Sequence, residues 1–209
     1  MFKTYNRLDR VELNRVNYRQ SHVGTLLTSR KSSRDFSQKP VSISEVSEIL
    51  YFSAGITNNR KELAKTRRSY PSAGAKYPLE IYPLILHGKN IENGLYHYNV
   101  LEHSLEILLK PLKNEDIENI WTSQKWFKKA SVIIIITAIY ERSTIKYGNK
   151  GIGFNLIEAG HLGQNIYLLA EEMGIGCCAI GGLKEKPLIK LLDINPDKEI
   201  PIYYIALGN

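Results

Sequence analysis

The sequence predicts an α+β fold in which helices cover a β-sheet. A continuous β-branched run over residues 131–137 is typical of a strand that is buried on both faces. An apolar stripe over residues 153–173 predicts a long amphipathic helix, and Gly174 supplies its C-terminal stop. The other helical and extended segments follow one another in mixed order, as in α+β proteins.

Shorter elements complete this prediction. Residues 42–45 (Ser-Ile-Ser-Glu) have the form of a capping box, so we expect a helix that begins there and ends near Gly55. Residues 80–86 predict a strand, in which Pro83 favours an edge position or a bulge. The other expected elements are two strands of a hairpin-like ribbon at 94–98 and 105–109, a strand at 177–180, a helix at about 187–192 and a strand at 202–207.

Length and composition indicate one folded domain over residues 1–209. The chain is 43% hydrophobic and 23% charged, which is ordinary for a globular protein, and no internal repeat or low-complexity linker divides it. Residues 1–28 are polar, with apolar side chains at loose helical spacing. We expect them to form an N-terminal helical arm, and its apolar positions are Tyr5, Leu8, Val11, Leu13 and Val16.

The net charge of +7 is compatible with nucleic acid, an anionic membrane or a phosphorylated ligand. A lysine-rich surface is the commoner explanation, and the sequence has no aromatic-basic motif or reading helix that would favour nucleic acid. The adjacent Cys177 and Cys178 offer no disulfide framework, and no histidine stands at a zinc-ligand spacing from them. With no signal peptide, and with an apolar run at 132–139 too short for a bilayer, we expect a cytoplasmic protein without metal or membrane partner.

The first of three clusters with chemical potential lies at residues 30–34. It combines three cations and two hydroxyl groups within five residues: Arg30, Lys31, Ser32, Ser33 and Arg34. Such a set can surround a phosphate group with bidentate and point-charge hydrogen bonds. A short basic run on a solvated surface is the alternative interpretation.

The second cluster lies at residues 70–78, where small residues stand between two prolines. Gly74 has no Cβ, so the backbone of this loop can approach a flat ligand closely. Lys76 and Tyr77 could transfer protons if a desolvated pocket lowered their pKa values. An ordinary turn with an exposed lysine beside a core-packing tyrosine is the alternative interpretation.

The third cluster is the glycine-bearing segment 174–182. It is not a dinucleotide-binding loop, because Ala179 stands at the third glycine position and the segment follows a helix instead of a strand. Gly181 and Gly182 could instead direct backbone N–H groups toward the edge of a ligand.

The order and spacing of these clusters resemble those of nitroreductase-like FMN flavoproteins. Residues 30–36 resemble their Arg-x-Ser-x-Arg phosphate clamp, and residues 71–74 resemble their loop against the isoalloxazine ring. Residues 158–165, followed by the third cluster, resemble their long core helix and the loop that meets flavin N5. The resemblance implies a nitroreductase-like fold, with a central, mainly antiparallel sheet flanked by helices, in an obligate homodimer that binds FMN.

The resemblance also implies which residues contact FMN. They are Arg30, Lys31, Ser32, Arg34, Ser72, Ala73, Gly74, Gln164, Ile180, Gly181 and Gly182. One departure is at the C-terminus, where many members place a basic residue after the last strand to help hold the phosphate. Here Gly208 and Asn209 follow, so we expect that contact to be absent or supplied from elsewhere.

Within this superfamily, residues 68–80 and 94–98 resemble the SagB-type branch. That resemblance implies an azoline oxidase, which converts thiazoline or oxazoline rings of a ribosomal peptide to azoles and often works with a cyclodehydratase partner. A Lys-Tyr pair is implicated in catalysis there, and Lys76 and Tyr77 are the candidates. Two alternatives remain open: an NAD(P)H-dependent nitro or quinone reductase, and a non-catalytic flavin-binding subunit of a peptide-modifying complex.

Overall fold

The computed structural model describes Lys3, Arg7 and residues 9–14, 21–58, 66–122 and 126–209. The helices in these ranges are α1 (His22–Ser29), α2 (Ile43–Ala54), α3 (Asn114–Glu118), α4 (Glu141–Tyr147), α5 (Lys150–Glu172) and α6 (Glu185–Leu192). The strands are β1 (Val41–Ser42), β2 (Leu79–Ile85), β3 (Gly88–Lys89), β4 (Gly94–Asn99), β5 (Ser104–Leu109), β6 (Val132–Ile139), β7 (Gly176–Ile180) and β8 (Glu199–Gly208).

Six strands form an antiparallel sheet in the order β5-β4-β2-β6-β8-β7. The β-branched strand β6 lies inside this sheet, where it pairs with β2 and β8 and is buried on both faces, as the sequence predicts. The ribbon of β4 and β5 is confirmed as an antiparallel pair. A short parallel pair, β1 with β3, lies beside the main sheet. The α+β class and the mainly antiparallel sheet are therefore confirmed.

The prediction that Pro83 marks an edge strand or a bulge is wrong. Strand β2 lies between β4 and β6, and Pro83 is in register with Ile134 of β6. The registered pairing with β4 is confined to Leu84 and Ile85. At Pro83 the strand is thus paired on one side only, which explains how an internal strand tolerates a residue without a backbone N–H.

The capping box at the start of α2 is confirmed. The Ser42 hydroxyl accepts a hydrogen bond from the Glu45 N–H (3.2 Å), and the Glu45 carboxylate accepts one from the Ser42 N–H (2.6 Å). The backbone hydrogen bond from Ser42 is the main reason why the pKa of Glu45 is lowered. Helix α2 ends at Ala54, before Gly55, as expected.

The long helix α5 packs against one face of the sheet and begins three residues earlier than predicted, at Lys150. Of its predicted apolar stripe, Leu162, Ile166 and Ala170 are fully buried, whereas Leu156, which the prediction also included, is 53% exposed. At its end Gly174 adopts a positive φ of 67°, and the Ile175 N–H reaches back to the Ala170 carbonyl at 2.8 Å. The glycine stop is therefore confirmed.

The sheet separates two hydrophobic cores. Residues Ile134 and Ile136 of β6 point to the face that α2 and α5 cover. Residues Ile133 and Ile135 point to the opposite face, which α6 covers together with a group of aromatic side chains. The alternation along a single buried strand supplies both cores.

The N-terminal arm is only partly described. Its described helical part is α1, which begins at His22, whereas Val11 and Leu13 lie outside any helix and are 91% and 89% exposed. The other apolar positions of the predicted arm, Tyr5, Leu8 and Val16, lie outside the described residues. No helix that the structure describes is both long and apolar enough to cross a bilayer.

The segment after α1 covers one edge of the sheet. The Ser33 N–H donates to the Cys177 carbonyl of β7 at 2.9 Å, and the Ser37 N–H donates to the Asn209 carbonyl. Strand β7 is therefore an edge strand whose outer side is partly paired.

We expect Ser42→Ala to lower the free energy of unfolding by about 1 kcal/mol, because it removes the side-chain cap of α2. Urea unfolding of the variant measures this change. Ser44→Ala, at an exposed position in the same helical turn, is the matched control. Equal stabilities for the two variants would contradict the capping assignment.

Candidate functional site

Helix α5 carries the side chains that connect the three sequence clusters. The carboxyl group of Glu158 lies near the Ser72 hydroxyl of the second cluster, which acts to lower its pKa. The Tyr167 hydroxyl lies 3.0 Å from Ser32 Oγ of the first cluster and accepts from the Ala179 N–H of the third at 2.7 Å. Nine positions separate Glu158 from Tyr167, or roughly 13 Å along the helix axis.

The first cluster is extended, so alternate side chains point to opposite sides. The Arg30 guanidinium lies 5.5 Å from the centre of the Tyr167 ring, next to Ser32. Two residues further along, the Arg34 guanidinium lies 5.8 Å from the ring of Trp126. Both arginines are thus positioned by aromatic rings.

The Lys31 side chain lies on the side of this segment that faces away from Tyr167. Together with Ser33 and Asp35 it lines a groove of about 290 Å³ that continues to Glu171 and Asn209. The structure therefore separates Lys31 from Arg30 and Ser32, because an extended chain alternates its side chains.

The second cluster is a loop in an unusual backbone conformation. Gly74, Ala75 and Tyr77 have φ values of 60°, 53° and 46°, in the left-handed region that non-glycine residues rarely adopt. The Ser72 hydroxyl accepts from the Tyr77 N–H at 2.8 Å, and Arg142 donates to the Tyr77 carbonyl at 3.1 Å. One contact within the loop and one from Arg142 of α4 therefore hold this conformation.

The side chains of Lys76 and Tyr77 lie in different environments, one in solvent and the other in the core. Tyr77 is 8% exposed, and its hydroxyl accepts from the Arg68 N–H at 3.0 Å. The Arg68 guanidinium lies 5.0 Å from the Tyr77 ring centre. Lys76 is exposed. The Tyr77 side chain thus belongs to the core, while the Lys76 side chain faces solvent.

A second Lys-Tyr pair, Lys146 and Tyr147 at the end of α4, lies against the same loop. A Cβ atom built on Gly74 would lie 2.6 Å from the Tyr147 hydroxyl and 3.1 Å from Lys146 Nζ. Only glycine at position 74 permits this approach. The sequence interpretation missed this pair, although a Lys-Tyr dipeptide followed by Gly148 was a readable signal.

The remaining candidate residues lie at the surface end of β7 and on α5. Gln164 is exposed on α5, between Glu158 and Tyr167. Ile180 is buried at the end of β7, whereas Gly181 is exposed, and a Cβ atom on Gly181 or Gly182 would meet no atom within 4 Å. This turn therefore leaves open space beside its backbone.

Glu158 is a further polar residue that the sequence interpretation did not single out. It is 2% exposed, and burial raises its pKa to about 7, against the smaller opposing effects of the nearby Ser72 hydroxyl and the Arg68 charge. Its Oε1 has no hydrogen-bond partner among the described residues. The sequence does contain a signal for it, because a charged residue stands one turn before Leu162 on the apolar stripe of α5, where a buried position is expected.

A cavity of about 610 Å³ lies on the opposite face of the sheet, beside α6. Its most prominent feature is His97, which bridges Glu80 (3.0 Å) and Glu106 (2.8 Å), and the hydrogen bond to Glu80 is the main reason why its pKa is raised. In the same cavity Glu199 accepts from the hydroxyl of Tyr82 at 2.9 Å. These polar groups satisfy one another, so we regard this cavity as distinct from the candidate site.

The three clusters together suit an elongated ligand. The Arg30 guanidinium and the Ser32 hydroxyl at one end are donors for an anion, in particular a phosphate. At the other end the glycine-bearing loop and the open turn after β7 have little side-chain bulk, which permits a planar group to approach the backbone. The donor set and the small residues fit a flavin mononucleotide.

Comparison with known proteins agrees with this description. The nitroreductase family model matches residues 27–209. A Methanocaldococcus jannaschii protein named as a nitroreductase (MJ1384) is 30% identical over 200 residues, which cover 96% of this chain and 97% of that protein. The microcin B17-processing protein McbC of Escherichia coli is 27% identical over 153 residues, 68% of this chain and 54% of McbC.

The fold also matches a solved structure, the E. coli microcin synthetase McbBCD complex with truncated pro-MccB17 bound. The TM-score is 0.78 at 21% identity, over 99% of this chain and 77% of the matched chain. This likeness shows a shared fold. Together with the family match over most of the sequence, it establishes that the chain belongs to the nitroreductase family, and its similarity to McbC supports the SagB-type branch.

Proposed function

We propose that this protein is an FMN-dependent oxidoreductase that oxidises thiazoline or oxazoline rings of a ribosomal peptide to azoles. The observation that carries the proposal is the arrangement along α5. A basic clamp lies at Tyr167, and a glycine-bearing loop with a Lys-Tyr pair lies at Glu158. The similarity to McbC favours a peptide substrate over a small molecule.

In this proposal Arg30, Ser32 and Arg34 bind the FMN phosphate. Two permanent positive charges balance the phosphate, so no basic residue after β8 is required. Residues 72–74 and 180–182 flank the ring system from two sides, and Gln164 donates to or accepts from it between them. Lys31, on the other side of its segment, does not contact the phosphate directly.

The bound flavin would supply the electron chemistry by accepting a hydride equivalent from the azoline ring. The protein has to remove one proton from the same ring. Lys146 and Tyr147 are the candidate proton acceptors that the geometry favours, because both reach Gly74. Lys76 is the alternative acceptor, and Tyr77 serves as a positioning residue because its hydroxyl is held in the core.

A peptide substrate also implies partners. The McbBCD complex contains a bound pro-peptide, and we propose that the present chain likewise works beside a cyclodehydratase that forms the azoline rings. The chain spans 54% of McbC, so this assignment rests on the shared region.

We further propose a homodimer in which α5 meets its counterpart. The side chains of Leu156 and Ile157 are 53% and 58% exposed, on the helix that carries the site. Gly153 and Gly160 lie nearby with open space where a Cβ atom would stand, which permits close packing of two helices. Exposed apolar side chains in one patch mark a protein interface.

A reductase that takes hydride from NAD(P)H is the second candidate, and the 30% identity to MJ1384 over nearly the whole of both chains favours it. Anaerobic mixing of the flavin-loaded protein with NADPH or NADH separates the two functions. Rapid bleaching followed by reduction of a nitroaromatic would support the reductase. Slow bleaching, with loss of two hydrogens per ring from an azoline peptide, would support the oxidase.

We expect Arg30→Ala and Arg34→Ala to weaken FMN binding by about 10- to 100-fold each. A charge-assisted hydrogen bond contributes about 1.5–3 kcal/mol, and about 1.4 kcal/mol corresponds to tenfold in affinity. Quenching of FMN fluorescence during titration measures the dissociation constant.

Lys31→Ala is the matched control, because it removes a neighbouring charge from the other side of the segment. If Lys31→Ala weakened binding as much as Arg30→Ala, the clamp geometry proposed above would be wrong.

We expect Tyr147→Phe and Lys146→Ala to retain bound flavin and to lower azoline oxidation by about 10²–10⁴-fold, the usual contribution of a general base. Mass spectrometry of the peptide counts the hydrogens lost per ring. Lys150→Ala, at the exposed start of α5, is the control. Full activity in both variants, combined with loss of azoline oxidation in Lys76→Ala, would identify Lys76 as the proton acceptor. Azole formation by the intact complex with flavin-depleted protein would instead support a non-catalytic subunit.

We expect Leu156→Asp to convert a dimer to a monomer, because an unpaired charge in an apolar interface is costly. Light scattering coupled to size-exclusion chromatography reports the mass. Leu101→Asp, at an equally exposed apolar position in the β4–β5 turn, is the control. A monomeric wild-type protein, or a dimer that survives Leu156→Asp, would contradict the proposed interface.

A further inference from the structure

The strand β5 forms one edge of the six-stranded sheet, and its outer side is open. Within the described parts of the chain, β4 is the only segment whose backbone pairs with β5. The opposite edge differs, because Ser33 donates to the Cys177 carbonyl on the outer side of β7. Strand β5 contains neither proline nor lysine, which commonly protect an edge, and its Ile107 and Leu108 are 54% and 38% exposed. An open edge of this kind can accept a further strand.

One face of β5 borders an acidic cavity. Glu106 and Leu108, two positions apart on the strand, line the cavity of about 610 Å³ beside α6. Lys198 and His97 are the basic side chains of its lining. Four carboxyl groups face them, those of Glu80, Glu106, Asp193 and Glu199. The cavity is therefore acidic, although the whole chain has a net charge of +7.

Glu199 is the carboxylate of this cavity whose charge is least compensated. His97 lies between Glu80 and Glu106 and contacts both. The Oε1 atom of Glu199 instead accepts hydrogen bonds from two hydroxyl groups, those of Tyr82 and Thr137. These donors hold the carboxylate in place without neutralising it, and no cation among the described residues forms an ion pair with it. A half-buried carboxylate in this state favours a cation from outside the chain.

The other face of β5 is mainly apolar. Leu105 lines a pocket of about 280 Å³, together with apolar side chains that include Leu50 and Ile91. Ile107 stands two positions after Leu105, on the same face of the strand. The two faces of β5 therefore differ in chemistry. Because a strand that pairs with β5 continues its alternation, the matching partner has basic side chains on one face and apolar side chains on the other.

Arg142 connects the acidic cavity with the loop of the candidate site. Its guanidinium group donates to the Tyr77 carbonyl at 3.1 Å and forms an ion pair with Glu80, which lines the cavity. Lys146 and Tyr147 follow Arg142 on the same short helix, α4. A single side chain thus spans the distance between the cavity and the loop, so one extended peptide can reach both.

We propose that the outer edge of β5 binds a stretch of the peptide substrate as an added strand with alternating basic and apolar side chains, one of whose cations enters the cavity and pairs with Glu199. The backbone of β5 supplies affinity, and the cavity selects for positive charge. The choice of the peptide substrate as the occupant rests on the proposed function. The docking site itself does not.

The first test uses the flavin-free full chain and a fluorescently labelled octapeptide in which lysine and valine alternate. Fluorescence anisotropy should show saturable binding of this peptide. An octapeptide of alternating glutamate and valine, with the same strand propensity on its apolar positions and the opposite charge, should not bind. Absence of binding by the lysine peptide, or equal binding of the two peptides, would overturn the inference.

Backbone methylation separates strand addition from simple charge attraction. One further peptide carries N-methyl groups on its lysines, and another carries them on its valines. Alternate N–H groups of a strand point to opposite sides, so only one of these sets can face β5. We expect one methylated peptide to bind about tenfold more weakly and the other to bind as the parent peptide does. Equal loss of affinity in both, or in neither, would contradict an added strand.

Substitutions in the cavity test its role in charge selection. Glu199→Gln keeps the shape of the side chain and removes its charge, so it should weaken binding of the lysine peptide by about 3- to 10-fold. Glu106→Gln, at an exposed position of β5, keeps the test decisive if Glu199→Gln folds poorly. Glu172→Gln, an exposed carboxylate near the end of α5, is the matched control and should bind as the wild type does. Wild-type affinity in both cavity variants would overturn the assignment of the cavity.

The occupant is tested with the flavin-loaded protein. The unlabelled lysine octapeptide should compete with an azoline peptide and raise its apparent KM several-fold, while kcat stays unchanged. An unchanged KM at saturating octapeptide would reject the substrate as the occupant and keep the docking site. A protein without azoline oxidation would reject the proposed function, and the binding experiments on the flavin-free protein would still decide whether β5 accepts a strand.

Discussion

The packing of α5 across one face of the sheet is the constraint on which the rest of the molecule depends. Its buried stripe of Leu162, Ile166 and Ala170 fixes the rotation of the helix. That rotation directs Glu158 to the loop before β2 and Tyr167 to the segment before β1 and to β7. Segments far apart in the sequence thus become neighbours because each contacts the same rigid helix. The site is assembled by core packing and not by any single motif.

The fold was largely readable because its main elements have unambiguous patterns. The β-branched run of β6, the stripe of α5 and the capping box at Ser42 each have one structural interpretation, and each is confirmed. Pro83 was misread because the rule for proline assumes pairing on both sides of a strand. Here β4 is registered with only the last two residues of β2, a tertiary detail that local sequence does not encode.

The site was less readable, for a different physical reason. Alternation in the extended segment after α1 separates Lys31 from Arg30, and composition alone counts both in one basic cluster. The Lys146–Tyr147 pair meets Gly74 only through the fold, since 72 positions separate Lys146 from Gly74 in the chain. The Tyr77 side chain turns into the core because the left-handed backbone of its loop redirects it.

The segment that carries the proposed phosphate clamp also shields a strand edge. Through Ser33 it occupies a carbonyl on the outer side of β7, a position at which another chain could otherwise add a strand. Its backbone faces the sheet while Arg30 and Ser32 face α5, so one stretch of chain performs both tasks. Substitutions that displace this stretch would consequently have two effects: they would lower the affinity for the ligand, and they would make the protein more prone to aggregate through the exposed edge of β7. Selection for solubility would then help to preserve the ligand-binding geometry.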